Sequence, residues 1–522
     1  MKSFLRYWLT VTVAVILIPS CKKDQAEGVY TNDLFASACN YLPCTVFGDV
    51  SDHSVPWLQF WNGYLSESMI SRHGLLGNPF IYSQIAVIYN HPLKSLDRII
   101  RMNEDPKQKD LPNVLALGSN DNQIAAAKTL EAFYYMFLTD MIGPIVLTDA
   151  FQGNPTDSKN PVYDTQRTVY EKLNSILNDA YALFNESGGL YYSDLLYSGD
   201  IRKWKKLNAS LRMLLAIKLC DVDAKIGKNR FAKAYSDGGM TAVTDGLDYA
   251  YGNSHVRNRL YYWCANGYPD APRNIVPNMI LVEAMKGLED NRMFAYFDIE
   301  GYKGPRSETL FPRTKYSSFY GNPFGLSSDT DMTLFNNSVC SINNKMLAMN
   351  ARIPVIPTAR ILLTEAEAAC RGWISADAKK LYEAGIRASF EWWNAGNADS
   401  YISSPNVAYR GGDEGFEQIV LQRWIASYLS DGVEAWSDWR RLDRIELPVG
   451  PAAIDIGIDQ YPYRLGFCTD KSNRYTNASF KDMVSDLRGG ANNTASRLWW
   501  DVVDNKKVAL TEEQCTPPTI AE

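Results

Sequence analysis

Aromatic and polar side chains that could bind a sugar stand close together near residue 60. The stretch 57–64 (WLQFWNGY) carries four rings, among them Trp57 and Trp61, and Arg72 and His73 follow in a segment with two glycines. Sugar rings can stack their C–H faces on aromatic rings, and Arg and His side chains can hydrogen-bond hydroxyl groups. The pattern therefore predicts a site for a polyhydroxylated ligand.

The same rings also fit a position in the protein interior. Trp57, Trp61 and Tyr64 are spaced i, i+4, i+7, which is the spacing of one buried face of a helix. Core packing is the favoured interpretation of these three rings, and ligand contact is the alternative. Arg72 and His73 carry the stronger local argument for binding.

Two further aromatic clusters lie in the middle of the chain. The stretch 261–269 (YYWCANGYP) has no helical period and ends in turn residues, so burial alone explains its rings less well. A third cluster, of lower rank, contains Tyr316, Phe319 and Tyr320 before a Gly-Asn-Pro turn. From the three clusters we predict these ligand-binding residues: Trp57, Trp61, Arg72, His73, Tyr261, Trp263, Tyr268 and Tyr320.

A surface glycoside hydrolase is the alternative class of protein. Such an enzyme needs two carboxylates on either side of one glycosidic bond, about 5–9.5 Å apart. Asp140 and Asp149 are the obvious pair, but both stand beside helix ends or turns where Asp commonly caps, and Glu365 and Glu367 lie in an amphipathic helical pattern. Because the chain also lacks the G-x-S-x-G, H-E-x-x-H and P-loop motifs, we predict a protein that binds without catalysis.

The N-terminal segment has the features of an export signal. Lys2 and Arg6 precede an apolar run from 7 to 18 that is too short for a bilayer core of about 30 Å, and Ser20 is the small residue before Cys21. The stretch Ile-Pro-Ser-Cys resembles the bacterial lipobox, whose cysteine becomes the acylated first residue of the mature chain. We therefore predict lipidation at Cys21, with a plain signal peptide and an incidental cysteine as the alternative.

Composition excludes several other functions. The net charge of −6, without a Lys/Arg-rich run, argues against nucleic-acid binding. Eight cysteines follow Cys21 without a CxxC pair or a His cluster, so a zinc site is not expected, and Asp329 and Asp331 lack the order of a calcium loop. Cys220 and Cys370 are predicted to be buried, whereas a bridge between Cys39 and Cys44 remains open.

Apolar periodicity and cap residues predict a mainly helical chain interrupted by long loops. A loop-rich insertion is expected at about 228–345, interrupted by one helix at 277–287, and the part from 445 to 495 is again loop-rich. The predicted helices are 80–101 with a break near Pro92, 120–142 ended by Gly143 and Pro144, 165–183 and 204–225 with Thr165 and Asp200 as their N-terminal caps, 358–371, 377–394 and 415–429.

Two of these helices carry the spacing of a tetratricopeptide unit. Ala366, Ala378, Tyr382 and Gly385 occupy its small, small, aromatic and small positions, where small side chains let paired helices approach closely. The predicted fold is therefore mainly α, an α-α superhelix of tetratricopeptide-like pairs with long loop insertions that form a binding face. We predict a signal peptide at 1–20, a lipidated tether at 21–55 and one helical domain at 56–522.

Several motifs, in order along residues 80–501, resemble the SusD/RagB family of nutrient-binding outer-membrane lipoproteins, in particular its SusD-like branch. They are 135–150 (YMFLTDMIGPIVLTDA), 161–166 with 199–204 (GDIRKW) and 207–212 (LNASLR), and 381–390 with 434–441 (EAWSDWRR) and 498–501 (LWWD). In 434–441 a structural role, with Arg440 or Arg441 paired to buried acids or carbonyls, is favoured over a cation–π ligand patch.

The resemblance implies a function and a partner. It implies a nutrient-binding protein that delivers its ligand to a SusC-type TonB-dependent transporter in the outer membrane; we expect the ligand to be an oligosaccharide, with peptide as the less favoured alternative. The residues after Cys21 (KKDQ) resemble the signals that send Bacteroidota lipoproteins to the cell surface. The expectation is a surface-exposed lipoprotein, anchored in the outer membrane by lipid, without a cofactor or a metal.

Overall fold

Helices make up most of the structure, as the sequence predicts. The computed structural model describes residues 29–46, 58–63, 85–152, 161–190, 194–253, 258, 260–261, 275–298, 316–325, 340–343, 345–430, 432–450, 461–466 and 478–504. Within these ranges the α-helices are α1 (Thr31–Cys39), α2 (Pro43–Val46), α3 (Lys94–Glu104), α4 (Pro112–Leu115), α5 (Asn120–Ile142), α6 (Gln166–Leu183), α7 (Ile201–Ile217), α8 (Ala224–Asp237), α9 (Met279–Gly287), α10 (Met293–Tyr296), α11 (Thr358–Cys370), α12 (Ala378–Trp393), α13 (Ala398–Ile402), α14 (Gly412–Ala426), α15 (Gly432–Leu442) and α16 (Ala478–Asp486).

Short strands pair parts of the chain that are far apart in sequence. In the described part of the chain the strands are β1 (Trp61–Gly63), β2 (Leu247–Ala250), β3 (Ile275–Pro277), β4 (Phe297–Asp298), β5 (Ser341–Ile342) and β6 (Arg352–Ile356). They form three antiparallel two-stranded sheets, β1 with β3, β2 with β6 and β4 with β5. None of the helices in the described ranges combines the length and the apolar character that a membrane span requires.

Side-chain caps set the ends of the long helices where the sequence predicts them. Thr165 accepts a hydrogen bond from the Thr168 amide at the start of α6, and Asp200 accepts from the Arg202 amide at the start of α7. Gly143 ends α5 with a φ of 94°, which a side chain would disfavour. These predicted boundaries are confirmed.

Two predicted boundaries are wrong. Pro92 does not break the first helix, because residues 89–93 form a π-helical turn that joins the helical residues 85–88 to α3. The predicted helix 204–225 is two helices, since α7 ends at Ile217 and Asp223 starts α8 by accepting from the Ile226 amide. The loop-rich region therefore begins after α8. Helix α15, which follows α14, was not predicted from the sequence.

The pair α11 and α12 packs as a tetratricopeptide-like unit. A Cβ built at Gly385 would lie 2.6 Å from Leu363 Cγ and 3.3 Å from the Ala359 carbonyl oxygen, so the two helices approach too closely for a side chain there. Ala366 and Tyr382 are buried in the same interface, and Tyr382 Oη donates to the Val407 carbonyl. The small-residue pattern thus marks a real helix pair.

Three of the motifs that carry the family resemblance meet in one buried polar cluster. Asp140, near the end of α5, accepts from Tyr170 Oη at 2.5 Å, from Lys218 Nζ at 2.6 Å and from Trp500 Nε1 at 3.1 Å. Lys218 also donates to Glu434 at the start of α15. The motifs 135–150, 434–441 and 498–501 therefore supply Asp140, Glu434 and Trp500 to this cluster, and Tyr170 on α6 and Lys218 just after α7 complete it.

The stretch 434–441 has the structural role that the sequence favours. Arg440 donates to the carbonyl oxygens of Asp140 and Tyr463, and Arg441 forms two bonds to Glu367 on α11. Burial alone would raise the pKa of Glu367, but Arg441 and Arg423 lower it well below its ordinary range. Trp436 is buried beneath the Arg440 guanidinium.

The described cysteines are thiols rather than disulfides. No disulfide joins Cys39 to Cys44, and Cys220 is buried as predicted. Cys370 is exposed at the last turn of α11, with its sulfur 3.1 Å from Tyr409 Oη, so the prediction of burial is wrong for this residue.

Candidate ligand-binding face

The first two aromatic clusters start from the same two-stranded sheet. In the β1–β3 pair, Trp61 lies opposite Pro277 and Gly63 lies opposite Ile275. The segment with Arg72 follows β1 directly in the chain, and the segment 261–269 precedes β3. Two regions separated by about two hundred residues are therefore fixed at one point of the fold.

The third cluster is bonded to the same sheet. We call the β1–β3 pair together with residues 321 and 322 the base of the candidate face. The Asn322 amide donates to the Pro277 carbonyl at 2.8 Å, and the Met279 amide donates to the Asn322 carbonyl at 2.9 Å. At Gly321 a Cβ would lie 2.5 Å from the Asn278 carbonyl carbon, so the backbones touch where only glycine fits. Tyr320 is the residue immediately before this contact.

Core residues hold this base in place from below. Gln59, in the left-handed region with a φ of 54°, donates through Nε2 to the Pro448 carbonyl at 2.6 Å. Trp424 Nε1 on α14 donates to the Leu58 carbonyl at 3.2 Å, and the Trp424 ring stacks on Phe60. Hydrogen bonds and ring packing thus attach the base to the helical scaffold.

Trp61 lies in the core. It is only 3% exposed and belongs to a strand, so the predicted helical face is wrong although the favoured burial is observed. No described residue accepts a hydrogen bond from its indole N–H. Its burial leaves little ring surface for a ligand, and Trp57, Arg72 and His73 lie outside the described residues.

Tyr261 and Tyr320 are the two predicted residues that are half-buried, with part of each side chain open to solvent. The ammonium of Lys286 on α9 lies 4.5 Å from the centre of the Tyr320 ring, and Glu283 lies 2.7 Å from the same ammonium. Lys286 and Glu283 were not predicted; their i, i+3 spacing on a predicted helix was the only signal. Trp263 and Tyr268 lie outside the described residues.

The other rings of the third cluster have packing roles. Tyr316 Oη donates to Asn291 Oδ1 at 2.6 Å, and its ring lies 5.3 Å from that of Phe294. Phe319 is buried between Phe294 and Phe297. Among the three rings, Tyr320 is therefore the one placed to contact a ligand.

The chemistry of the described part of this face suits a neutral, hydroxyl-rich molecule. Tyr320 offers a ring and a hydroxyl, Lys286 offers hydrogen-bond donors, and Glu283 offers an acceptor. Within the described ranges no three His, Cys, Asp or Glu side chains are grouped as a metal site would require. Asp329 and Asp331 lie outside those ranges.

Asp140 and Asp149, the carboxylates considered for hydrolysis, both have protein partners. Asp140 is fully buried by Tyr170, Lys218 and Trp500, and so cannot reach a substrate. Asp149 accepts from the Val162 amide at 3.0 Å in an exposed turn. Asp149 thus has the turn role that its position favours, whereas the expected cap is wrong for Asp140, whose carboxylate bonds to Tyr170, Lys218 and Trp500.

Known proteins share the family pattern and the fold of this chain. The model of the family SusD-like_2, described as "Starch-binding associating with outer membrane", matches residues 57–468. No curated protein sequence matches the chain. Among solved structures, a chitin-binding protein superposes with a TM-score of 0.74 at 20% identity, covering 91% of this chain and 100% of its own.

Two further structures show the same fold. A chitin-binding SusD homologue from Flavobacterium johnsoniae gives a TM-score of 0.71 at 23% identity, with 91% of this chain and 99% of that chain covered. A SusD-like protein from Bacteroides thetaiotaomicron gives 0.72 at 20% identity, with 90% and 98% covered. At these identities the likeness concerns the fold, while the family match extends over most of the sequence: the chain belongs to the SusD-like family, whose members are described as starch-binding and associated with the outer membrane.

Proposed function

We propose that this protein binds oligosaccharide at the cell surface and delivers it to a SusC-type TonB-dependent transporter. The observation that carries the proposal is the match of residues 57–468 to a family described as starch-binding. The common base of the three aromatic segments supports it, since it fixes their ends at one side of the fold. A glycan is preferred over a peptide because two similar structures bind chitin.

The proposed binding residues come from all three segments. Tyr261 and Tyr320 supply partly exposed side chains, and Lys286 supplies a charged group beside Tyr320. Trp57, Arg72, His73, Trp263 and Tyr268 complete the set from the sequence. Trp61 supports the face through core packing and does not contact the ligand, because its ring is buried where β1 pairs with β3.

The proposed anchor is a lipid on Cys21, which would hold the domain on the outer membrane beside its transporter. Several acyl chains, each CH₂ contributing about 0.8 kcal/mol when buried, give stable attachment without a spanning helix. We expect Cys21→Ala to release the protein from the membrane fraction and to abolish its copurification with the transporter. Retention of both would exclude the anchor.

Isothermal titration calorimetry with maltooligosaccharides and chitooligosaccharides tests glycan binding directly, after a glycan array has selected the best ligand. We expect Arg72→Ala and Trp263→Ala each to weaken binding at least tenfold with unchanged thermal unfolding. Tyr30→Ala, which removes an exposed ring at the start of α1, is the matched control and should bind normally. Normal binding by both test variants would remove these residues from the site.

A reducing-end assay on the same oligosaccharides separates binding from hydrolysis. We expect no sugar release by the purified protein. Sugar release that rises in proportion to the amount of purified protein would establish the glycoside hydrolase instead.

A further inference from the structure

The indole of Trp392 on α12 is partly open to solvent and is not part of the face built on β1 and β3. The core residue Trp393 packs against it with ring centres 4.8 Å apart and ring planes at 67°, so the scaffold covers only part of the ring. A partly exposed indole can stack on the C–H face of a sugar. The polar groups at its edge then decide which ligand it can hold.

One carboxylate holds this ring and an arginine together. Trp392 Nε1 donates to Asp248 Oδ2 at 3.1 Å, and Arg352 Nη2 lies 2.8 Å from the same oxygen. Asp248 belongs to β2 and Arg352 to β6, and the two strands are paired. The indole and the guanidinium therefore meet at one atom, which links α12 to the β2–β6 sheet.

The carboxylate is buried, whereas the guanidinium is exposed. The Asp248 side chain is 3% exposed and the Arg352 side chain is 60% exposed. Among the described residues Asp248 is the one ion-pair partner of Arg352, so the Nε and Nη1 groups of Arg352 are left to bind a ligand. Asp248 Oδ1 is buried and accepts no hydrogen bond from a described residue. Because a buried acceptor without a donor is unfavourable, a ligand hydroxyl that donates to it would be stabilising.

The charges around this carboxylate favour an anionic ligand. Burial raises the pKa of Asp248, while the charges of Arg352 and Lys203 lower it, so two cations act on a single acid. Asp245, three residues earlier, is already paired, because Lys206 Nζ lies 2.8 Å from its Oδ2. One cation is therefore in excess, and an exposed arginine can bind a carboxylate through two parallel hydrogen bonds.

We propose that Trp392, Arg352 and Asp248 form a second carbohydrate site, which binds a sugar residue that carries a carboxylate. The indole stacks on the sugar ring, Arg352 binds the carboxylate, and Asp248 holds the indole and the guanidinium in place. A ligand hydroxyl supplies the donor that Asp248 Oδ1 lacks. Because the site is built on β2, β6 and α12, it depends neither on the face at β1 and β3 nor on delivery to a transporter.

Isothermal titration calorimetry of the purified protein with tetragalacturonate, each sugar of which carries a carboxylate, tests this site. We expect Arg352→Met to weaken binding at least tenfold and Arg352→Lys, which keeps a cation beside Asp248, to weaken it less. Trp392→Ala should also weaken it, with the fold checked by circular dichroism. Arg444→Met is the matched control and should bind normally, since Arg444 is also an exposed arginine that lies 3.1 Å from a carboxylate, that of Glu417, and beside an aromatic ring. Absence of binding by the unmodified protein, or equal losses for Arg352→Met and Arg444→Met, would overturn the proposal.

Neutral oligosaccharides separate this site from the proposed function. Binding of maltooligosaccharides or chitooligosaccharides should be unchanged in Arg352→Met, and binding of tetragalacturonate should be unchanged in Arg72→Ala and Trp263→Ala. Loss of tetragalacturonate binding in the latter two variants, with normal binding by Arg352→Met, would place the acidic sugar on the face at β1 and β3 and overturn the second site. Equal losses of neutral and acidic ligands in Arg352→Met would overturn the selection of a carboxylate. Failure of neutral oligosaccharides to bind, with the expected losses for tetragalacturonate, would affect only the proposed function.

Discussion

The ammonium of Lys218 lies 2.6 Å from the Asp140 carboxylate and 2.5 Å from the Glu434 carboxylate, with all three side chains in the interior. Burial alone would lower the pKa of Lys218, but the two carboxylates outweigh it and raise the pKa above its ordinary value. For Glu434, burial dominates and raises the pKa despite Lys218. One cation thus holds two acids that come from helices far apart in the chain.

Replacement of Lys218 by Met should destabilise the protein strongly. It leaves Asp140 and Glu434 buried without their shared cation, and loss of one partner of a buried ion pair costs about 3–5 kcal/mol. Urea unfolding followed by tryptophan fluorescence measures the change in the free energy of unfolding. Lys233→Met, which breaks an exposed pair with Asp237, is the control and should change it by less than about 0.5 kcal/mol. A loss below about 1 kcal/mol for Lys218→Met would show that the cluster tolerates an uncompensated charge.

Glu365 should make the stability fall as the pH rises. Burial raises its pKa from 4.5 to about 8, and no described cation lies within ion-pair distance of it. Between pH 4.5 and about 8 the folded protein holds a proton that the unfolded chain has released, so the free energy of unfolding decreases with pH across this window. Below this window Glu365 is protonated in both the folded and the unfolded state, so its ionisation no longer lowers the free energy of unfolding.

The variant Glu365→Gln tests this pH dependence because it keeps the shape and removes the titration. We expect it to raise the free energy of unfolding at pH 8 by a few kcal/mol, on the order of 3, and to have little effect at pH 4.5. Glu414→Gln, at an exposed position, is the control and should leave the pH profile unchanged. A Glu365→Gln profile parallel to that of the unmodified protein between pH 5 and pH 8 would contradict the assignment.

Gly385→Ala should destabilise the α11–α12 pair. The added methyl would lie 2.6 Å from Leu363 Cγ, and overpacking of this kind costs about 1–3 kcal/mol, partly offset by the roughly 1 kcal/mol that Ala gains over Gly in a helix. Gly287→Ala, at the end of α9 with nothing within 4 Å of the new Cβ, is the control. We expect thermal unfolding to shift down for Gly385→Ala and to stay unchanged or rise for Gly287→Ala; equal shifts would exclude a tight helix contact.

Local signals predicted the helical scaffold well. Thr165, Asp200 and Gly143 act on the few residues beside them, so their effects can be inferred from sequence alone. The break predicted at Pro92 was wrong because a π-helical turn accommodates the proline. Whether a chain forms such a turn or a break depends on tertiary packing, which the local sequence does not show. The burial predicted for Cys370 was wrong because the apolar periodicity continues to the end of α11, whereas the last turn of that helix is exposed.

The candidate face was less predictable, because long-range pairing builds it. The i, i+4, i+7 spacing around Trp61 suits a helix, but pairing with residues 275–277 makes this stretch a strand. The sequence found the aromatic segments without showing that they share one base. The sequence also did not predict that Lys286 and Glu283 on α9 lie near Tyr320. Both have the pattern of ordinary surface residues, and the long-range hydrogen bond between residues 322 and 277 brings Tyr320 next to α9.

Replacement of Tyr320 tests whether its ring or its hydroxyl contacts the glycan. If the sugar stacks on the ring, Tyr320→Phe should bind within twofold of the unmodified protein. Tyr320→Ala should then lose about 0.5–1.5 kcal/mol of binding free energy, which is roughly 2- to 12-fold in Kd. Isothermal titration calorimetry with the ligand selected on the array gives both values.

Tyr181→Ala is the matched control for this test. Tyr181 is also a half-buried tyrosine beside a lysine, with Lys205 Nζ 5.1 Å from its ring, but it lies on α6 in the helical scaffold. Its removal should leave the affinity unchanged, because the effect of Tyr320 depends on its position beside the β1–β3 sheet rather than on a lysine–tyrosine contact. Equal losses for Tyr320→Phe and Tyr320→Ala would assign the interaction to the hydroxyl, whereas unchanged affinity in both would place the ligand on the rings of 261–269 instead.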